Sequence, residues 1–146
     1  MADKNIGRIK QVIGPVVDIE FEQSYLPNLL NAIEINLNGK TIVVEAVQHI
    51  GDDSVRCISM DSTDGFVRGM EAVDTGYPIK VPVGRETLGR LFNVTGQTID
   101  NKGSLDNIEK ASIHRKAPSF EEQQTSTEIF ETGIKVVDLM CPYSKG

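Results

Sequence analysis

Residues 33–47 read Ile33-Glu34-Ile35-Asn36-Leu37-Asn38-Gly39-Lys40-Thr41-Ile42-Val43-Val44-Glu45-Ala46-Val47. Ile33, Ile35 and Leu37 alternate with polar residues, which is the period of two expected for a strand with one buried face. Asn38-Gly39 separates this run from the apolar run 41–47, and both residues tolerate the positive φ of a type I′ turn. The stretch therefore predicts a β-hairpin that turns at Asn38-Gly39.

The same pattern recurs on both sides of this hairpin. Residues 17–21 alternate apolar and acidic side chains, and Ile13-Gly14-Pro15 separates them from an earlier strand over 8–13. Turn sequences at 51–54 and 62–65 enclose a further strand over 55–60. Ile79–Val83 is expected to be a last, edge-like strand, because Pro82 cannot donate to a ladder. Five or six strands at about ten-residue spacing predict a small closed barrel or sandwich over residues 1–80.

The pattern changes after Gly84. Apolar residues at helical spacing predict a short helix over 88–92, and Ser119-Phe120-Glu121-Glu122 has the spacing of a capping box. Thr132 is expected to cap a second helix that ends before Pro142. The apolar face of that helix would comprise Ile134, Val137 and Met140. No strong strand is expected in residues 84–146, so this half looks incomplete on its own.

Charge and composition exclude several classes of protein. The net charge is −6, and residues 1–83 carry 7 basic and 12 acidic side chains. Nucleic-acid binding requires a basic surface and stacking aromatics, and this chain has no Trp. No run approaches the roughly 18 apolar residues of a spanning helix. Met1–Asn5 begin no signal or transit segment, so we expect a soluble protein without direct membrane insertion.

Two short segments resemble ligand-binding loops. Gly84–Leu91 has the two glycines of a phosphate loop but lacks its lysine and hydroxyl residue. Asp61–Gly65 resembles the start of a calcium loop but lacks the closing glutamate. A glycine-bounded helix entry and a polar turn are the favoured interpretations.

Isolated polar residues are interpreted as structural. Glu121-Glu122 suits a helix start better than a catalytic pair, and the two cysteines have no metal-site spacing. Cys57 lies in an apolar run and is expected to be a buried thiol. The histidines are assigned to structural or surface positions, and the arginines mostly to solvent or to exposed ion pairs. These residues are Cys57, Cys141, His49, His114, Arg56, Arg68, Arg85, Arg90 and Arg115.

Longer strings of residues carry a resemblance that spans about Gly7 to Gly146. In the first part they are 7–21, 48–52 and 60–69, and further on 81–84, 87–94, 113–115, 117–122 and 131–139. Each string is modest alone, but in this order they closely resemble the β-subunit family of F-type ATP synthases. Val94–Asp100 departs from the family pattern in what would be a connecting loop.

The resemblance implies a two-part organisation. Residues 1–80 would form the six-stranded β-barrel of the ring crown. Residues 81–146 would begin an α/β P-loop nucleotide-binding domain that is cut off before its phosphate-binding loop. The family's lysine, threonine, glutamate and adenine-packing aromatics would follow Gly146. We therefore assign no catalytic, cofactor-binding or metal residue to this chain, and we expect the fragment alone to be inactive.

The resemblance also implies function, partners and location. The complete subunit would bind Mg-ATP or Mg-ADP and make ATP from ADP and phosphate with a transmembrane proton gradient, or hydrolyse it in reverse. It would alternate with α subunits in a hexameric ring around a central γ stalk. The ring would lie peripherally on the cytoplasmic face of a bacterial inner membrane, or on the equivalent organelle membrane. The alternative is a stand-alone barrel that serves as an assembly module without ATPase activity.

Overall fold

A computed structural model of the protein describes residues 5–22, 25–105, 107–122 and 126–145. Six antiparallel strands close into a barrel in the order β1-β2-β5-β4-β3-β6. The strands are β1 Ile6–Ile13, β2 Val16–Glu20, β3 Asn31–Leu37, β4 Lys40–Gly51, β5 Ser54–Ser59 and β6 Glu71–Pro78. The barrel predicted from the strand spacing is thereby confirmed.

The hairpin between β3 and β4 turns where the sequence predicted. Leu37 pairs with Lys40, so Asn38 and Gly39 alone form the loop. Asn38 has φ 52° and Gly39 has φ 85°, as a two-residue turn that follows the twist of its strands requires. The turn fixes the register of the pair, because a slip of one residue would turn every apolar side chain outward.

The inside of the barrel is filled by apolar side chains. Ile33 and Ile35 of β3 and Val44 of β4 have no solvent exposure. The alternation of Ile33 and Ile35 with polar residues predicted that these two side chains lie on the buried face, and this is confirmed. The buried cluster comprises Ile9, Val17, Ile19, Phe21, Ile33, Ile35, Val44, Ala46, Val55, Cys57 and Ala72.

The strand that closes the barrel differs from the one that the sequence predicts. Strand β6 closes the barrel by pairing with both β1 and β3, whereas residues 79–83 had been expected as the last strand. Of β6 only Ala72 is buried, and the strand contains Gly76 and Pro78, so its sequence has weak alternation. Strand β7, Lys80–Pro82, lies outside the barrel and pairs with β8, Lys110–Ser112.

The helix expected over residues 88–92 does not form. A 3₁₀ turn, Arg85–Thr87, lies directly before this segment. Gly89 has φ 69°, a left-handed conformation that no α-helix contains, and Leu88 and Leu91 are exposed. The capping-box segment is also a 3₁₀ turn, Phe120–Glu122. There the backbone N–H of Ser119 donates to Glu122 Oε2 at 3.0 Å, which is the reciprocal contact of a capping box.

The second expected helix forms, but Thr132 does not cap it. Helix α1 spans Lys135–Met140, and its N-cap Ile134 makes no side-chain cap. The Thr132 hydroxyl instead donates to Asp138 Oδ1 at 2.6 Å. This bond and the N–H groups of Thr132 and Gly133 hold the pKa of Asp138 below its ordinary value.

In the described part of residues 84–146 the strands are only two or three residues long, which agrees with the expectation that no strong strand lies there. Besides β8, two short strands pair with each other, β9 Ile129–Phe130 and β10 Tyr143–Ser144. Residues Met1–His114 and Arg115–Gly146 form two compact units. Within the described part of the second unit, no residue of α1, β9 or β10 is buried, so these short elements enclose no core.

Cys57 should resist thiol reagents while the barrel is folded. Its side chain is fully buried, whereas Cys141 is exposed. Burial, and then the charge of Asp18, raise the pKa of the Cys57 thiol to about 12, and the thiolate is the reactive form. We expect N-ethylmaleimide to label Cys141 at once and Cys57 only after denaturant is added. Mass spectrometry of the peptides measures both, and equal labelling of the two in the native chain would contradict the buried assignment.

Candidate functional site

The candidate functional side chains of the barrel lie on its outer wall, because apolar side chains fill its interior. Asp18 of β2 and Arg56 of β5 are register partners on that wall. Arg56 Nε lies 2.9 Å from Asp18 Oδ1, and its terminal nitrogen lies 3.0 Å from Oδ2. This two-pronged bond raises the pKa of Arg56. It ties two neighbouring strands together, and the Asp18 carboxylate is only 7% exposed.

A second polar contact joins the barrel wall to the chain that leaves β8. His114 Nε2 lies 2.6 Å from Glu45 Oε2. Glu45 lies on β4, and its side chain is 11% exposed. Ile113 N–H also donates to the carbonyl oxygen of Ile79, at 3.1 Å. These bonds hold residues 113–114 close to the barrel.

A groove of about 650 Å³ runs between the outer wall and the β7–β8 pair. Glu34 lines it from the barrel, and Lys80 and Lys110 line it from the β7–β8 pair. Lys80 Nζ sits 4.4 Å from the centre of the Tyr77 ring, a cation–π contact. The walls thus mix both signs of charge with hydroxyl groups, a surface suited to polar protein contacts. The other lining residues are Ala32, Thr41, Val43, Thr75, Pro78, Ile79, Thr95, Gln97 and Ile108.

The loop after β7 is held by a buried ion pair. Arg90 Nε donates to Asp100 Oδ2 at 2.6 Å, and a terminal nitrogen donates to Oδ1 at 3.0 Å. Their side chains are 12% and 5% exposed. The bond from Arg90 is the main cause that holds the pKa of Asp100 far below its ordinary value. Arg90 also donates to the carbonyl oxygen of Gly103, so this one guanidinium organises residues 90–103.

Two arginines therefore differ from the sequence interpretation. Arg56 and Arg90 make two-pronged bonds to carboxylates that are nearly buried, whereas Arg68, Arg85 and Arg115 are exposed as expected. Sequence analysis missed the Asp18–Arg56 pair because the strand register was not known, and the Arg90–Asp100 pair because it depends on how the loop after β7 folds. Once β2 and β5 are aligned, Asp18 and Arg56 fall opposite each other, which is a detectable signal.

The structure shows the position of a carboxylate in each of the two segments that resemble ligand-binding loops. Gly84 has φ 108°, and Glu86 Oε2 lies 2.8 Å from where a Cβ of residue 84 would be. A carboxylate therefore occupies the space in which a phosphate would need donors. In the other loop, Asp61 is bound by the Lys40 ammonium and by the N–H of Ser62. The Lys40 bond is the main cause that lowers the pKa of Asp61.

The described histidines and acidic pair also fit their structural interpretation. His49 Nε2 lies 2.8 Å from the carbonyl oxygen of Pro27, so it ties the segment before β3 to β4. Glu121 and Glu122 lie in the first turn of the short 3₁₀ segment. In the described ranges, no three His, Cys, Asp or Glu side chains are grouped so that they could hold a metal ion.

A comparison with protein families finds a match over the barrel. Residues 9–76 match the model described as the ATP synthase alpha/beta family, beta-barrel domain. The matched range runs from within β1 to within β6, so it coincides with the closed barrel. The match supports a relationship to the alpha/beta family as a whole. Among the described residues, no helix has the length and apolar character needed to cross a membrane.

Proposed function

From the match of residues 9–76 to the ATP synthase alpha/beta barrel domain, we propose that this chain is part of a catalytic β subunit of the F-type enzyme. Its barrel would join that subunit to neighbouring α subunits in the ring. The assignment to the β type rests on the resemblance of the strings between residues 7 and 139 given above, which follow the β-subunit pattern in order. The domain boundary near residue 80 belongs to the same proposal.

The filled barrel is the observation that carries the assembly role. Its inner face is closed to ligands, because Val17, Ile19 and Ile33 have no solvent exposure and pack against one another. Closure also pairs the strand edges, so partners cannot add a strand to it. The outer wall and the loops between strands are therefore the surfaces through which the barrel would contact other subunits.

The nucleotide chemistry is proposed for the complete subunit and not for these residues. The 146 residues contain no Gly-x-x-x-x-Gly-Lys-Ser/Thr sequence, the motif that cradles phosphates. The complete subunit would hold Mg-ATP or Mg-ADP on residues outside this sequence, and a central γ subunit would change the shape of that site. It would sit peripherally at the cytoplasmic face of a bacterial or equivalent organelle membrane. This chain alone should bind no Mg-ATP, and isothermal titration measures that.

Two alternatives differ from this proposal, one in the surface charge it requires and the other in the coding sequence it requires. An oligonucleotide-binding barrel would need a basic surface, whereas residues 1–83 carry 12 acidic and only 7 basic side chains. A stand-alone assembly module would dock on α subunits in the same way, but it would never belong to a nucleotide-binding chain. Reading the coding frame beyond codon 146 separates that alternative from the main proposal.

The assembly proposal is tested by mixing the chain with purified α subunits. Native mass spectrometry should detect a complex of one chain with an α subunit. When single-stranded DNA of similar mass replaces the α subunit, it should detect no complex. The control is the Ile33→Ala variant, whose barrel core is weakened, and it should form less complex under the same conditions. A folded wild-type chain that forms no complex with α would overturn the proposed role.

A further inference from the structure

We propose that Asn38 is a site of spontaneous deamidation. The opening of the β3–β4 hairpin sets the rate of this reaction, and the side chain of Asn36 slows it. The side chain of Asn38 is exposed at the tip of that hairpin. Glycine follows it, so no side chain shields the next backbone nitrogen.

The reaction needs only water as a co-reactant. The backbone nitrogen of Gly39 loses its proton and attacks Cγ of Asn38, and a C–N bond forms as the side-chain nitrogen leaves as ammonia. The cyclic imide that results is hydrolysed by water at either of its two carbonyl carbons. The product is Asp or the isoaspartyl isomer, and the latter carries an extra methylene group in the backbone.

In the folded hairpin, the nucleophile of this reaction, the backbone nitrogen of Gly39, is already hydrogen-bonded. The Gly39 N–H donates to Asn36 Oδ1 at 3.1 Å, so it is engaged away from the Asn38 carboxamide. Asn38 and Gly39 are also fixed at φ 52° and φ 85°, and the attack requires the intervening peptide to rotate. Deamidation therefore proceeds from the opened hairpin, and the population of that state sets the rate.

The sequence makes this site selective. Of the eight asparagines, Asn38 alone precedes glycine, and the other seven precede Ile, Leu, Ala, Val or Lys. Conversion would add a negative charge beside Lys40, which is bound to Asp61. The isoaspartyl form would lengthen the backbone between Leu37 and Lys40, the last register pair of the hairpin, and weaken that end of the barrel.

The test measures conversion at Asn38 in the 146-residue chain during incubation at mildly alkaline pH, by mass spectrometry of its peptides. We expect the native chain to convert about tenfold more slowly than the urea-unfolded chain. Asn36→Ala should speed conversion about fivefold, the factor given by losing one ordinary hydrogen bond. Asn36→Asp is the matched control and should convert like wild type, because its carboxylate still accepts from Gly39 N–H.

Two readouts separate a specific restraint from general destabilisation. Amide exchange at Gly39 should be slow in wild type and Asn36→Asp, and faster in Asn36→Ala. Conversion of Asn101 in the same samples should be equal in all three proteins, since that residue lies outside the hairpin. The proposal is overturned if Asn36→Ala leaves the rate at Asn38 unchanged. It is also overturned if another asparagine converts ahead of Asn38 in the native chain.

Discussion

Replacing Ile33 by Ala should lower the free energy of unfolding of the barrel by about 2–5 kcal/mol. Ile33 has no solvent exposure and packs within the cluster that fills the barrel. The substitution removes three carbon atoms from a close-packed interior that can collapse only in part. A loss of this size is a large share of the roughly 5–15 kcal/mol that stabilises a domain.

Urea unfolding followed by circular dichroism measures this loss. Ile13→Ala is the matched control, because it deletes the same atoms from a side chain that is 54% exposed at the end of β1. We expect the control to shift the midpoint far less than Ile33→Ala. Equal shifts for the two variants would contradict the placement of the core inside the barrel.

Gly7→Ala should destabilise the barrel by about 1–3 kcal/mol, through overpacking. A Cβ at residue 7 would lie 2.8 Å from the carbonyl oxygen of Glu20 and 2.8 Å from the ring of Phe21. The first contact is to backbone, so it cannot be relieved by a change of rotamer. Strand β1 must therefore shift away from β2, with which it pairs.

A double-mutant cycle tests the cause of this effect. In a Phe21→Leu background the ring contact is absent, so Gly7→Ala should cost less than in wild type. The coupling between the two substitutions is read from the same urea curves. If Gly7→Ala costs as much stability in the Phe21→Leu background as in wild type, the ring does not contribute to the effect. If the Gly7→Ala variant is as stable as wild type, the close packing at residue 7 is contradicted.

Local patterns predicted the barrel because its strongest signals are short-range. The Asn38-Gly39 turn and the alternation around it depend on residues that are adjacent in sequence, so they could be predicted without a structure. The alternation over 17–21 likewise placed Val17 and Ile19 inside. In these elements, propensity, burial pattern and turn chemistry agree with one another.

The errors arose where tertiary contacts override local pattern. Strand β6 is held by pairing with β1 and β3, although only Ala72 of its residues is buried. The segment 88–92 has helical spacing, but Gly89 adopts a left-handed conformation. The carboxylate partners of Arg56 and Arg90 lie 38 and 10 residues away in sequence. Such pairs can be identified only when the strand register, or the fold of the loop, is known.

The most direct measurement of the assembly role is hydrogen exchange of the chain with and without its α-subunit partner. If the barrel is the docking element, adding α should slow exchange in the loops that connect strands β1 to β6, and leave residues 126–145 unchanged. The buried strands, β3 above all, should already exchange slowly in the free chain. Protection confined to 126–145, with the barrel unaffected, would contradict the claim that this barrel carries the contact between subunits.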